Sequence, residues 1–229
     1  MVVKRAYTSA LRDEQSAATR RRILDAADEV FERSGYGGTT LAAIAGAAGV
    51  SVQTIYNLVG GKAAVLKAVY DVSLAGDDAP VPNVDRPESR AVVEAPDGPA
   101  ALAAYAAKAR SISVRVLPLV VRILAEAGSG NRDLEEFAAT IEAERLVGCT
   151  LTATHIAEQF GLREGLSVDE AIDVLWSLTS ADLADRLVNR RGWTWDRFET
   201  WLAQTMTEAL LPPARRVRGA RGARGRSSA

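Results

Sequence analysis

Ala45 and Gly49, four residues apart, constrain this chain more than any other pair of positions. Residues 41–47 and 51–58 each read as a short helix, with residues 48–50 as a tight turn and Ser51 capping the second helix. Two helices crossing at a steep angle need a small residue where they touch, which Ala45 supplies. The turn needs a residue free to take positive φ, which Gly49 supplies. Ile44, Ala48, Val50, Ile55 and Leu58 are the apolar positions that lock the pair to its neighbours. The pattern is that of a helix-turn-helix.

The flanking sequence supports a small helical module. Ile23, Ala27, Val30 and Phe31 recur at helical spacing from residue 19 to 34, Gly35 offers a left-handed stop, and Thr39 offers a side-chain cap for the next helix. Residues 62–72 read as a fourth helix. Between residues 76 and 99 stand five of the chain's eight prolines, so this stretch is expected to be a linker or surface loop without a regular helix. Residues 100–127 and 134–160 are long amphipathic patterns joined by a turn at 128–131, and Pro118 is expected to kink the first. Ser167 with Glu170 forms a capping box for residues 168–178. Ser180 opens a helix through Arg190, and Thr194 caps a last one that Pro212 and Pro213 end. The expectation is an all-α protein: an N-terminal three-to-four-helix helix-turn-helix domain and a larger C-terminal α-helical ligand-binding and dimerisation domain. The boundaries read as a basic N-terminal arm at 1–15, the helix-turn-helix domain at 16–75, a Pro-rich linker or loop at 76–99, the helical domain at 100–213, and a disordered Arg/Gly-rich tail at 214–229.

Charge is distributed unevenly. The formal net charge of −1 divides into +2 over residues 1–75, −9 over 76–214 and +6 over 215–229, with +4 in the first 22 residues alone. Basic ends around an acidic middle suit a protein that offers only its end regions to a polyanion. No run approaches the roughly 18 apolar residues of a membrane span, and the first 11 residues lack a signal-peptide core, so no membrane partner and a cytoplasmic location are expected. The single cysteine, Cys149, excludes an intrachain disulfide. Cys149 and His155 fall on different faces of one helical pattern and make no metal pair, and no phosphate loop, nucleophile elbow or paired histidines occur. Neither a metal, a cofactor nor an enzymatic activity is expected.

The second helix of a helix-turn-helix presents its outer face to the major groove of duplex DNA. With Ile55 and Leu58 buried, the outward residues are Val52, Gln53, Thr54, Tyr56 and Asn57. Gln and Asn pair with adenine, and Val or a Thr methyl touches a thymine methyl. Tyr56 reads either as a core aromatic or as a phosphate contact; Lys62 reads either as a solvated lysine or as a second contact, with Gly60-Gly61 opening the backbone before it. The arginines at 20–22 are helper contacts or plain solvated charge.

Phe31, Gly35-Tyr36, Thr39-Thr40, Ile44-Ala45, Ala48-Gly49-Val50-Ser51, Thr54-Ile55-Tyr56, Lys62 and Leu66, in one register from Ile23 to Val69, resemble the DNA-binding domain of the tetracycline-repressor (TetR) family. Residues 167–211, with Leu175-Trp176, Leu178-Thr179-Ser180, Arg191-Gly192-Trp193 and Trp201-Leu202, resemble the C-terminal domain of one subgroup. The resemblance implies a repressor that binds operator DNA as a homodimer and is released by a small-molecule effector. It places phosphate contacts on Thr40, Tyr56 and Lys62 and base contacts on Val52, Gln53, Thr54 and Asn57. It also implies an effector pocket among residues 100–127, 134–160 and 168–178, for which Tyr105, Arg115, Cys149, His155 and Trp176 are the candidate lining, and a dimer interface on the final two helices. Gln53 stands where the family often has Gly, and Leu58-Val59 replaces a common His-Phe pair. The alternative is that the C-terminal bundle is a binding or enzymatic module and the N-terminal helices only a partner adaptor.

Overall fold

The computed structural model describes residues 3–128 and 130–213, with side chains from residue 12 onward. The tail at 214–229 lies outside the described residues. Every regular element among those residues is helical.

The N-terminal third holds α1 (Val3–Gly38), α2 (Leu41–Ala48), α3 (Val52–Leu58) and α4 (Lys62–Ala75). The segment expected as a separate basic arm is the first part of α1. Residues 3–34 contain neither Gly nor Pro, and Ala, Leu, Arg, Glu and Gln carry little helical penalty, so nothing stops the helix there. The stop comes at Gly35, whose φ of 67° and ψ of 177° break the helical path one turn before the end of α1. The cap of α2 is Thr40, one residue later than expected, and its hydroxyl accepts the Ala43 N–H at 3.1 Å. Thr39 is buried instead and donates to the Gly35 carbonyl at 2.6 Å.

The Pro-rich segment corrects a sequence expectation. It carries a short 3-10 turn at Asn83–Asp85 and a regular helix, α5 (Pro87–Val93). Pro87 sits at the first position of that helix, where a missing N–H has no helical partner to lose. Beyond it come α6 (Gly98–Ala127), α7 (Arg132–Phe160), α8 (Val168–Leu178), α9 (Ala181–Ala184) continuing into a π-type turn at Asp185–Arg190, and α10 (Trp195–Leu210). Pro118 lies inside a continuous α6. The capping box of α8 forms as expected, with the Ser167 N–H donating to Glu170 at 2.8 Å and the Glu170 N–H donating to Ser167 at 3.2 Å.

Two apolar cores run through the molecule. The upper one joins Leu102, Ala106, Cys149, Ile156, Leu175, Phe198, Leu202 and Met206 from α6, α7, α8 and α10. The lower one is not confined to the first four helices. Ile23, Phe31, Ile44, Ile55 and Leu66 pack together with Val116, Val120 and Ile123 of α6 and Leu134, Phe137 and Ile141 of α7. The α6–α7 hairpin therefore belongs to both cores.

Candidate nucleic-acid interface

α2 and α3 lie at 95° to each other, the steep crossing that a helix-turn-helix requires. The turn between them is built as the sequence dictates. Gly49 adopts φ 64° and ψ 39°, and the Val50 N–H returns to the Ala45 carbonyl at 3.0 Å while the Gly49 N–H returns to that of Gly46 at 3.4 Å. These are the two bonds of a Schellman ending, and they leave α2 with its last carbonyls satisfied. Ala45 is buried, as the close approach demands, and Ile44 and Ile55 are fully enclosed.

α3 begins at the Ser51 cap, whose hydroxyl accepts the Thr54 N–H at 3.1 Å and bonds the Thr54 hydroxyl at 2.8 Å. With Ile55 facing inward, Gln53, Tyr56 and Asn57 are exposed and Val52 and Thr54 are half-buried. Tyr56 is 53% exposed, which removes the core-aromatic alternative. The Gln53 amide nitrogen donates to the Asn57 side-chain oxygen at 2.9 Å. This i,i+4 bridge holds both amides on one face and leaves the Gln53 oxygen and the Asn57 amino group for outside partners. Thr40 is exposed at the start of α2, with its hydroxyl proton still available.

Lys62 is placed differently from a free lysine. Its ammonium donates to the carbonyls of Tyr36 at 2.7 Å and Thr39 at 2.8 Å and lies 4.1 Å from the Tyr36 ring centre. It closes the end of α1 onto the start of α4, and one of its three protons remains for another acceptor. Arg20 is likewise engaged within the chain, with the Leu58 carbonyl at 3.2 Å and Asp78 at 3.5 Å.

Sequence reasoning missed how this head is fastened to the rest of the chain. The Glu126 carboxylate, near the end of α6, accepts the backbone N–H groups of Tyr36 at 3.1 Å and Gly37 at 3.0 Å. The Tyr36 hydroxyl donates to Asp133 at 2.8 Å, and burial followed by this acidic partner pushes the phenol's pKa well above its ordinary value. Arg122 donates to the Glu32 carbonyl. At the far end of α4, Arg115 donates to the carbonyls of Ser73 at 2.8 Å and Leu74 at 2.9 Å, and Arg86 to that of Ala75 at 2.9 Å. Only the break at Gly35 marked this junction in the sequence.

The five residues expected to line one effector pocket have different immediate neighbours. Tyr105 and Cys149 meet in the upper core, hydroxyl to sulfur 3.4 Å, and burial followed by Cys149 raises the Tyr105 phenol's pKa. Arg115 stands ten residues further along α6, about 15 Å by helical rise, at the junction with α4. His155 packs edge-on to Phe160 at 6.0 Å, and Trp176 lies under the Arg145 guanidinium at 4.9 Å.

A helix-turn-helix with an exposed, amide-bearing second helix, mounted on a helical bundle, defines a protein of the DNA-binding regulator class. Residues 23–69 match the family described as bacterial regulatory proteins, tetR family. No curated protein matches the sequence significantly. Among solved structures, FadR of Bacillus subtilis in complex with stearoyl-CoA is 20% identical with a TM-score of 0.63, covering 81% of this chain and 96% of its own. A TetR transcriptional regulator from Chloroflexus aurantiacus is 18% identical with a TM-score of 0.60, covering 86% and 98%. A transcriptional regulator from Saccharomonospora viridis in complex with choline is 16% identical with a TM-score of 0.57, covering 83% and 96%. At these identities the likeness is one of fold. No helix among the described residues is long and apolar enough to cross a membrane.

Proposed function

We propose that this chain is a transcriptional repressor that binds duplex operator DNA as a homodimer and is released by a small-molecule effector. The observation that carries the reading is the outer face of α3, where Gln53, Tyr56 and Asn57 stand exposed on a helix fixed at 95° to its partner. Val52, Gln53, Thr54 and Asn57 meet base edges, and Thr40, Tyr56 and the free proton of Lys62 meet phosphates. Residues 16–75 serve as the reading head and 100–213 as the effector and dimer domain.

One head reads too few bases for specificity, so two are needed on a twofold site. On the final helices, where the dimer interface was expected, Trp193, Trp195 and Trp201 pack chiefly on one another and on Phe198. The outer face of α10 is polar, with Thr200, Gln204 and Glu208 exposed. Exposed apolar side chains gather instead on α7, at Leu146, Val147 and Leu151, and at Trp176 on α8, which favours this face as the dimer contact. Relatives by fold held with stearoyl-CoA and with choline support control by a small molecule. The upper core around Tyr105 and Cys149 is the place where a lipophilic effector would insert.

The test is a selection of genomic DNA fragments followed by a gel shift with Tyr56→Ala. The intact chain retains a distinct sequence at near-physiological salt, and Tyr56→Ala loses that binding at least 100-fold while melting within about 1 °C of the parent, as an exposed substitution does. Undiminished affinity in Tyr56→Ala overturns the assignment, and failure of any fragment to be selected overturns the DNA-binding reading.

A further inference from the structure

A small cavity sits where the end of α4 meets α5 and α6, and its charges are out of balance. It has a volume of about 10 Å³, room for one oxygen atom, and its walls include Arg86, Glu88, Lys108, Ser111 and Arg115. Three cations thus share the wall with one carboxylate, and a second, Asp77, pairs with Arg86 from outside it. The Arg86 terminal nitrogens are occupied by the Ala75 carbonyl and the Asp77 carboxylate, but its Nε is buried with no acceptor. The Lys108 ammonium donates to a single neutral acceptor, the Ser89 hydroxyl, at 2.9 Å. Burial pushes the Lys108 amine below its ordinary pKa, the direction expected of a cation short of counter-charge. Arg115 spends its donors on the Ser73 and Leu74 carbonyls and the Ser111 hydroxyl, with no carboxylate partner among the described residues.

We propose that this junction binds the anionic head of a small molecule, a carboxylate or a phosphate, with one oxygen seated between Lys108 and Arg86 and the rest of the ligand outside the cavity mouth. The size admits one oxygen, the orphaned Nε and the under-partnered ammonium supply donors, and Arg115 adds field without needing to move. Lys108 stands less than one helical turn beyond Tyr105 on α6. Binding stands or falls independently of whether the chain reads DNA.

The experiment follows backbone amide shifts of the full chain during titration with sodium acetate and, separately, inorganic phosphate, against sodium chloride at matched ionic strength. The expected result is a saturable shift at Gly76 and around Arg86–Ser89 with at least one of the two oxyanions, absent with chloride. Acetate alone identifies a carboxylate head, phosphate alone a phosphate head. Lys108→Met weakens that binding at least tenfold, whereas Arg132→Gln, an exposed cation elsewhere, leaves it unchanged. Should Lys108→Met fold poorly, Lys108→Arg keeps the charge and retains binding within threefold. Shifts that never saturate, equal shifts with chloride, or undiminished affinity in folded Lys108→Met overturn the site.

Discussion

Replacing Gly35 by alanine strikes two features at once. The residue holds φ 67° and ψ 177°, a region open essentially to glycine alone, where a side chain costs about 1–3 kcal/mol. An added Cβ also falls 2.1 Å from Oε1 of Glu126, so the carboxylate must leave. Its departure breaks the bonds to the Tyr36 and Gly37 N–H groups, worth about 1 kcal/mol each at this partly exposed position. Gly35→Ala is therefore expected to destabilise by about 3–5 kcal/mol and Glu126→Ala by about 2 kcal/mol. The double variant should cost no more than Gly35→Ala alone, because the first substitution has already displaced the carboxylate. Urea unfolding followed by far-UV circular dichroism measures the three differences, and a coupling of about 2 kcal/mol is expected. Costs that simply add, to within about 0.5 kcal/mol, would show that Glu126 does not bear on Gly35, and the described junction would be wrong.

Three further outcomes follow from other parts of the molecule. Arg86 beside Asp77, with the Ala79 N–H, pulls that carboxyl down to about 2, so its contribution to stability is present above the ordinary carboxylate range and is lost as pH falls towards 2; carbon-detected titration should find the low value, and Arg86→Gln should raise it towards, but not fully to, the normal range because the Ala79 N–H still donates. Arg115→Met removes charged bonds to two α4 carbonyls and should lower the melting temperature by about 4–8 °C, from about 2 kcal/mol and the scaling for a chain of this size. Val147→Asp with Leu151→Asp, at positions 60% and 54% exposed, should leave the fold intact and yield a monomer by sedimentation; an unchanged dimer would move the interface elsewhere.

The helix-turn-helix was legible because its constraints are local. Ala45, Gly49, Ser51 and Ile55 each answer to backbone geometry within a few residues, and each took the expected place. Local chemistry also fixed α8, whose capping box needs only Ser167 and Glu170. What escaped was decided at a distance. Lys62 looked free because its acceptors lie 23 and 26 residues away, and Glu126 meets α1 across about 90 residues. Arg115 was grouped with Tyr105 because both lie on α6, whereas ten residues of helical rise carry it from the core that holds Tyr105 to the end of α4. The prolines of residues 76–99 misled for a further reason: a count of prolines ignores that the first position of a helix tolerates one.

Because the α6–α7 hairpin completes the lower core, the first 75 residues are not a portable part. Cut free, they would bare the apolar faces that Val120, Ile123 and Phe137 cover, including the ring of Tyr70, which meets Phe137 edge-on at 5.5 Å. A chimaera joined at residue 75 should therefore aggregate unless the graft carries residues 116–141 with it, or a host hairpin of matching relief. In this chain the natural seam for swapping heads runs across the middle of two long helices, not through the loop that separates them in sequence.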